Sequence, residues 1–201
     1  MGTDQHSVRQ HILATGRAII TGKGFSAVGL NEILTAAGVP KGSFYHYFKS
    51  KELFGEALLD TYVAEYLAEL DALLAPDGSP AAARLMRYWD GWLALPDQGC
   101  AGSKCLVVKL SGEVADMSEA MRAVLLRGTN DIVGRLAACI EEGLADGSIP
   151  AGPDPRQCAL ALYEMWLGAA LLTKLRREPS ALDGALRATR LLLRLPDTGP
   201  A

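Results

Sequence analysis

Residues 38–51, GVPKGSFYHYFKSK, bring Lys41, Lys49 and Lys51 together with Phe44, Tyr45, His46, Tyr47 and Phe48, and the stretch contains no carboxylate. Ammonium groups are compact point charges suited to phosphate. Tyrosine hydroxyls donate to phosphate oxygens while their rings pack, and short side chains such as Ser43 reach base edges. The whole chain carries a net charge of −3, so any grip on a nucleic acid has to come from this local patch. At helical spacing Phe44 and Phe48 share one side and are expected in a core, leaving Ser43, Tyr45, His46 and Tyr47 around the remaining surface. Plainer roles stand beside these: the tyrosines as surface residues, His46 as a packing or capping group, and Arg9, Arg17 and Lys23 as solvated charge.

A second chemistry belongs to the thiols. Cys100, Cys105, Cys139 and Cys158 show no CxxC spacing and have no neighbouring histidine, which predicts reduced thiols and no metal site. Cys105 follows Gly102 and Ser103. If Ser103 caps a helix, the thiol lies in the first turn, where the helix field favours thiolate, and Lys104 and Lys109 add positive potential. A thiolate attacks maleimides, quinones, aldehydes and hypochlorous acid; otherwise Cys105 is a small buried hydrophobe. Cys139 and Cys158 fall on apolar helix faces and are expected to be inert, and Cys100 is a candidate accessory thiol. Lys174 interrupts the apolar run Trp166 to Leu175; it either partners the Cys105 thiolate or snorkels from the helix end to water. Catalysis by Cys105 lacks a base, since His6, His11 and His46 all lie in the N-terminal segment.

The elements that must position these groups are helical. Ile12, Leu13, Ile19 and Ile20 recur at helical spacing until Gly22 and Gly24, and Leu30, Ile33 and Leu34 begin a short second helix that Gly38 ends. Pro40 suits the first turn of a third helix, which closes near Lys49. Ser50 caps a fourth, with Glu52 in its first turn, running to about Leu74. Beyond the linker at 76–80, helices are expected over 81–95, 104–115, 118–146, 154–177 and 180–195. The run from Cys158 to Leu175 is apolar, but Glu164 and Lys174 favour a buried or partner-facing helix over a membrane span. Gly168, Ala169 and Ala170 would permit close helix contact, and a charge at Ala169 or Leu172 is expected to break a homodimer formed by the last two helices. Met86, Trp89, Trp92, Tyr163, Met165 and Trp166 cluster at helical spacing; core packing is expected for most, with Trp89, Trp92, Tyr163 and Trp166 as candidates to line an effector pocket. The N-terminal segment has no apolar run of signal-peptide type, which argues for the cytoplasm.

The segment GLNEILTAAGVPKGSFYHYFKSKELF, residues 29–54, closely resembles the DNA-binding domain of the TetR family of transcriptional repressors. The resemblance implies an all-α fold with a helix-turn-helix DNA-binding domain at 1–50 and a helical effector-sensing and dimerisation domain at 51–201. It implies a homodimer on a palindromic double-stranded operator, with no cofactor and no catalytic function. Position by position, Lys41, Gly42, Ser43, Tyr45, His46 and Tyr47 lie where family members contact DNA, and Lys51 where a lysine grips the backbone. There are departures. Val28 and Gly29 stand where a Thr-Ser cap often opens the second helix, Pro40 replaces a frequent serine, and Gly16 replaces an alanine, which weakens an exposed helix by about 1 kcal/mol. Further on, KCLVVKLSGEVADMSEAMR (104–122) and LYEMWLGAALLTKL (162–175) look like TetR-type regulators of N-ethylmaleimide reductase, sensors of reactive electrophiles and oxidants. That implies release from DNA when Cys105 is modified. The alternative is release by a non-covalently bound small apolar ligand.

Overall fold

The computed structural model of the chain describes residues 2–93, 104–152 and 154–196. Its helices are α1 (Gly2–Lys23), α2 (Leu30–Ala37), α3 (Lys41–Phe48), α4 (Lys51–Leu74), α5 (Ala81–Leu93), α6 (Lys104–Met117), α7 (Glu119–Ala145), α8 (Pro155–Arg176) and α9 (Ser180–Leu192). No strand occurs among the described residues. Local chemistry sets most of the boundaries. Gly38 takes the left-handed conformation, φ 63°, that ends α2, and the Val39 N–H closes onto the Leu34 carbonyl at 3.1 Å. Pro40 is extended and caps α3 from just outside it, one position earlier than expected. Ser50 Oγ accepts the Leu53 N–H at 3.1 Å, and Asp154 accepts that of Gln157 at 2.8 Å, opening α4 and α8. Gly29 precedes α2 without a side-chain cap, as the departure from the family pattern implied.

The chain forms two compact units. One comprises residues 1–65 and 102–127, so that α6 and the start of α7 pack with the first three helices and the first half of α4. Its core contains Ile12, Ile20, Phe25, Val28, Ile33, Phe44, Phe48 and Phe54, all buried. The Phe54 ring lies 5.4 Å from Phe44 and 5.1 Å from Phe48, and it covers Gly16 so closely that a Cβ there would enter the ring. Gly16 is therefore a packing requirement, and its propensity cost is offset by the Phe54 contact. Gly55 serves likewise: a Cβ would lie 2.5 Å from Met121 Sδ and 2.6 Å from the Phe25 ring.

The other unit comprises residues 66–101 and 128–201. The Trp89 and Trp166 rings stack at 4.9 Å, the Trp166 indole donates to Thr189 Oγ1 at 2.8 Å, and the Tyr66 and Tyr88 hydroxyls share a hydrogen bond of 2.7 Å. The guanidinium of Arg84, which is buried, donates to the last carbonyl of α4, that of Leu74, and to Glu142 at 2.6 Å. Asp146 caps α5 through the Ala81 N–H at 2.9 Å. α8 is long and apolar enough to cross a membrane by length and composition, yet Cys158, Ala159, Leu162, Tyr163, Trp166 and Ala169 bury one side of it in this core. Ala169 consequently faces its own chain, where a charge would damage the fold, so it is not a probe of dimerisation as expected from the sequence.

Candidate nucleic-acid interface

α3 divides cleanly. Phe44 and Phe48 are buried, while Lys41, Gly42, Tyr45 and His46 are exposed and Ser43 and Tyr47 are half-buried. Spacing of four residues puts both phenylalanines on the core side, which forces the intervening polar groups outward. The Lys41 ammonium lies 5.8 Å over the Tyr45 ring, and the His46 and Tyr47 rings meet edge to face at 4.9 Å. α3 carries no acid, so a cationic, ring-bearing helix face is left toward solvent. Gly42 is exposed and a Cβ there would meet nothing, so the fold itself does not need glycine at that position.

Lys49 is exposed as well, whereas Arg9, Arg17, Lys23 and Lys51 are more engaged. Arg17 pairs with Glu65, Lys23 with Glu32 at 2.5 Å, and the Arg9 guanidinium lies 5.4 Å over Phe48. His11 bonds the Ala37 carbonyl at 3.0 Å, fastening α1 to the end of α2. Lys51 is half-buried. Its ammonium donates to the Phe25 carbonyl at 2.8 Å and lies 4.5 Å over the Phe25 ring. Three residues of α6 also reach this region: Lys109, expected from the sequence only to raise the potential around Cys105, and Glu113 and Met117, which the sequence did not single out. Their spacing of four was visible, but their partners lie about 90 residues away in the chain, and no local pattern links such positions.

α6 begins at Lys104, which places Cys105 in its first turn. The Cys105 side chain, Ser103 and Cys100 lie outside the described residues. Lys174 is exposed in the last turn of α8, where a cation complements the helix end. An exposed lysine at a helix end needs no buried partner, so the expected pairing with the Cys105 thiolate loses its ground. Trp89, Trp92, Tyr163 and Trp166 are all buried in the second unit, where Trp89, Trp92 and Trp166 pack against one another. Among the described residues the buried Trp89 indole N–H has no hydrogen-bond partner. Among the described residues no group of three or more His, Cys, Asp or Glu could hold a metal.

Cys139 and Cys158 are 3% and 5% exposed. Burial pushes the Cys139 thiol up to about 11 and raises Cys158 as well. A raised thiol pKa keeps the group protonated at neutral pH, and the reactive thiolate appears only as pH approaches the raised value. Mass spectrometry after brief N-ethylmaleimide treatment of the folded protein at pH 7 is expected to find both unmodified, with labelling only on denaturation. Labelling of either in the native state would show that this core opens.

A third surface is apolar. On α8, Leu160, Leu171, Leu172 and Leu175 are exposed, and on α9 Leu191 and Leu192. On α8, Gly168 is exposed too, and a Cβ there would meet open space.

Residues 12–58 match the family described as bacterial regulatory proteins, tetR family, and residues 81–189 the tetracyclin repressor-like C-terminal domain. The HTH-type transcriptional repressor NemR of Escherichia coli K12 is 38% identical over 192 residues, covering 96% of each chain. The transcriptional regulator AcuR of Cereibacter sphaeroides is 36% identical over 188 residues, covering 92% of this chain and 84% of its own. Among solved structures, the reduced form of E. coli NemR superposes with a TM-score of 0.88 at 38% identity, covering 98% of this chain and 100% of that one. A putative TetR/AcrR-family regulator gives 0.83 at 42% identity, covering 94% and 99%.

Proposed function

The chain belongs to the TetR family and is a transcriptional repressor, and from that premise we propose that it binds a palindromic operator as a homodimer and releases it when an electrophile or oxidant modifies Cys105. The acid-free, outward face of α3 carries the DNA half of the proposal. Lys41 and Lys51 meet phosphates, Tyr45 and Tyr47 donate to the backbone while their rings pack, and Ser43 and His46 approach base edges. Gly42, which no neighbour requires, allows the DNA backbone to come close. The setting is the cytoplasm, with no membrane partner and no cofactor.

The sensing half rests on Cys105 in the first turn of α6, where the field of a helix N-terminus favours a thiolate. That a relative 38% identical has been solved in a form named as reduced supports a thiol-based response. A second reading, release by a non-covalently bound apolar ligand, is favoured by one observation: the Trp89 indole in the aromatic cluster, which has no hydrogen-bond partner among the described residues. A ligand with an acceptor there would change tryptophan fluorescence while leaving every thiol intact.

The test is titration of DNA from upstream of its own coding region in a gel shift, repeated at several salt concentrations. Lys51→Ala is expected to weaken binding to all sequences and to lower the magnitude of the salt slope by about 1, since one phosphate contact is lost. Substitution of Ser43 or Tyr45 is expected to change preference among operators instead. An unchanged slope for Lys51→Ala would show that its charge does not meet phosphate.

A further inference from the structure

Lys109, Glu113 and Met117 stand four residues apart on α6, and all three reach the end of α1 and the turn that follows it. The Lys109 ammonium donates to the carbonyls of Thr21, at 2.6 Å, and Gly22. The Glu113 carboxylate accepts the backbone N–H of Phe25 at 3.0 Å and also that of Ser26, and the Ser26 hydroxyl lies 2.9 Å from Met117 Sδ. Gly24 makes room for this: its φ is 93°, and a Cβ there would lie 3.1 Å from Glu113 Oε2.

Lys51 approaches the same turn from α4. Its ammonium bonds the Phe25 carbonyl, and the peptide that owns this carbonyl is the one whose N–H, on Ser26, bonds Glu113. One peptide group is thus held between a carboxylate on its N–H and an ammonium on its oxygen. Each charge polarises the peptide and strengthens the bond at the other end. The carboxyl of Glu113 responds accordingly: partial burial pushes it up, but hydrogen bonds from Ser26 and Phe25 and the charge of Lys51 prevail and hold it below the usual range. An ammonium has three donors. With one on the Phe25 carbonyl, two remain for other acceptors.

We propose that Glu113 is a positioning residue for DNA binding: through the Phe25–Ser26 peptide it orients Lys51 toward the operator backbone, so that displacement of α6 loosens a phosphate contact. This rests on Lys51 being a phosphate ligand and on α6 being the sensor helix, and it supplies the physical link between them. Cys105 lies on the same helix, one turn before Lys109.

The experiment is a double-mutant cycle on operator affinity at fixed salt with wild type, Glu113→Gln, Lys51→Ala and the double variant. Glu113→Gln preserves size and one acceptor, and is expected to weaken binding about fivefold, the worth of roughly one oriented hydrogen bond. Lys51→Ala should weaken it further, and the double variant should be no weaker than Lys51→Ala alone. Glu113→Asp, which keeps the charge but withdraws it by a methylene, should fall between wild type and Glu113→Gln. Hydrogen exchange should accelerate at Phe25 and Ser26 in Glu113→Gln and stay unchanged in α1 and α4, which separates local release from unfolding. Additive losses, or full affinity in Glu113→Gln, overturn the relay while leaving Lys51 a phosphate ligand. Unchanged affinity and salt slope in Lys51→Ala overturn instead the assignment on which the relay rests.

Discussion

Leu172→Glu is expected to leave each chain folded and helical while converting the protein to a monomer that binds its operator about a hundredfold more weakly, or worse. Leu172 is 39% exposed, and Leu171 and Leu175 on α8 and Leu191 and Leu192 on α9 are exposed as well. Several large apolar side chains left exposed on two helices that pack together mark a candidate interface. In a two-fold dimer each substitution appears twice, so two carboxylates would enter an apolar contact without partners, and the desolvation of each costs several kcal/mol. A side chain this exposed has room to turn into water, so the fold tolerates the change. Loss of the dimer then separates two heads that must span half-sites about 34 to 36 Å apart, or a multiple of that, and each head alone lacks the effective concentration that the other provides. Sedimentation and circular dichroism decide the matter: a persistent dimer in Leu172→Glu would place the interface elsewhere. Ala169→Glu is the contrast, since Ala169 is buried and its variant should lose helicity as well.

The second large effect is expected at Cys105. N-ethylmaleimide should release the wild-type protein from its operator with a loss of affinity between about 5-fold and 150-fold, the usual range of allosteric coupling, and Cys105→Ser should hold the operator unchanged. In the reaction the thiolate sulfur adds to the maleimide double bond, an S–C bond forms, and the neighbouring carbon takes a proton from water. No electrons pass to an external acceptor. Serine keeps the size and polarity of the position but offers no thiolate, so operator affinity without reagent should stay near wild type. Release that persists in Cys105→Ser sinks the assignment, and the Cys100→Ser control then shows whether that thiol is responsible.

Much of the molecule was legible in its sequence because the governing interactions are local. Phe44 and Phe48, four residues apart, could be assigned to the core side of α3 and Lys41, Tyr45 and His46 to its outer face from helical geometry alone. Gly38, Ser50 and Asp154 ended or opened helices through bonds to backbone groups at most a few residues away. Burial of Cys139 and Cys158 followed from the apolar faces they share. Tertiary structure decided what depends on residues far apart in the chain. Gly16 looked like a weakness in α1 until Phe54 was found filling the space of its missing side chain. Ala169 and Leu172 looked equivalent in one apolar run, yet α9 and the tryptophan core cover the first and leave the second in water. Glu113 and Lys51, on separate helices, acquire a common role only when the chain folds back to place the Phe25–Ser26 peptide between them. Helical period and capping are properties of short segments and can be read in order; close packing and charge pairing depend on which distant segments meet, and that is fixed only by the fold as a whole.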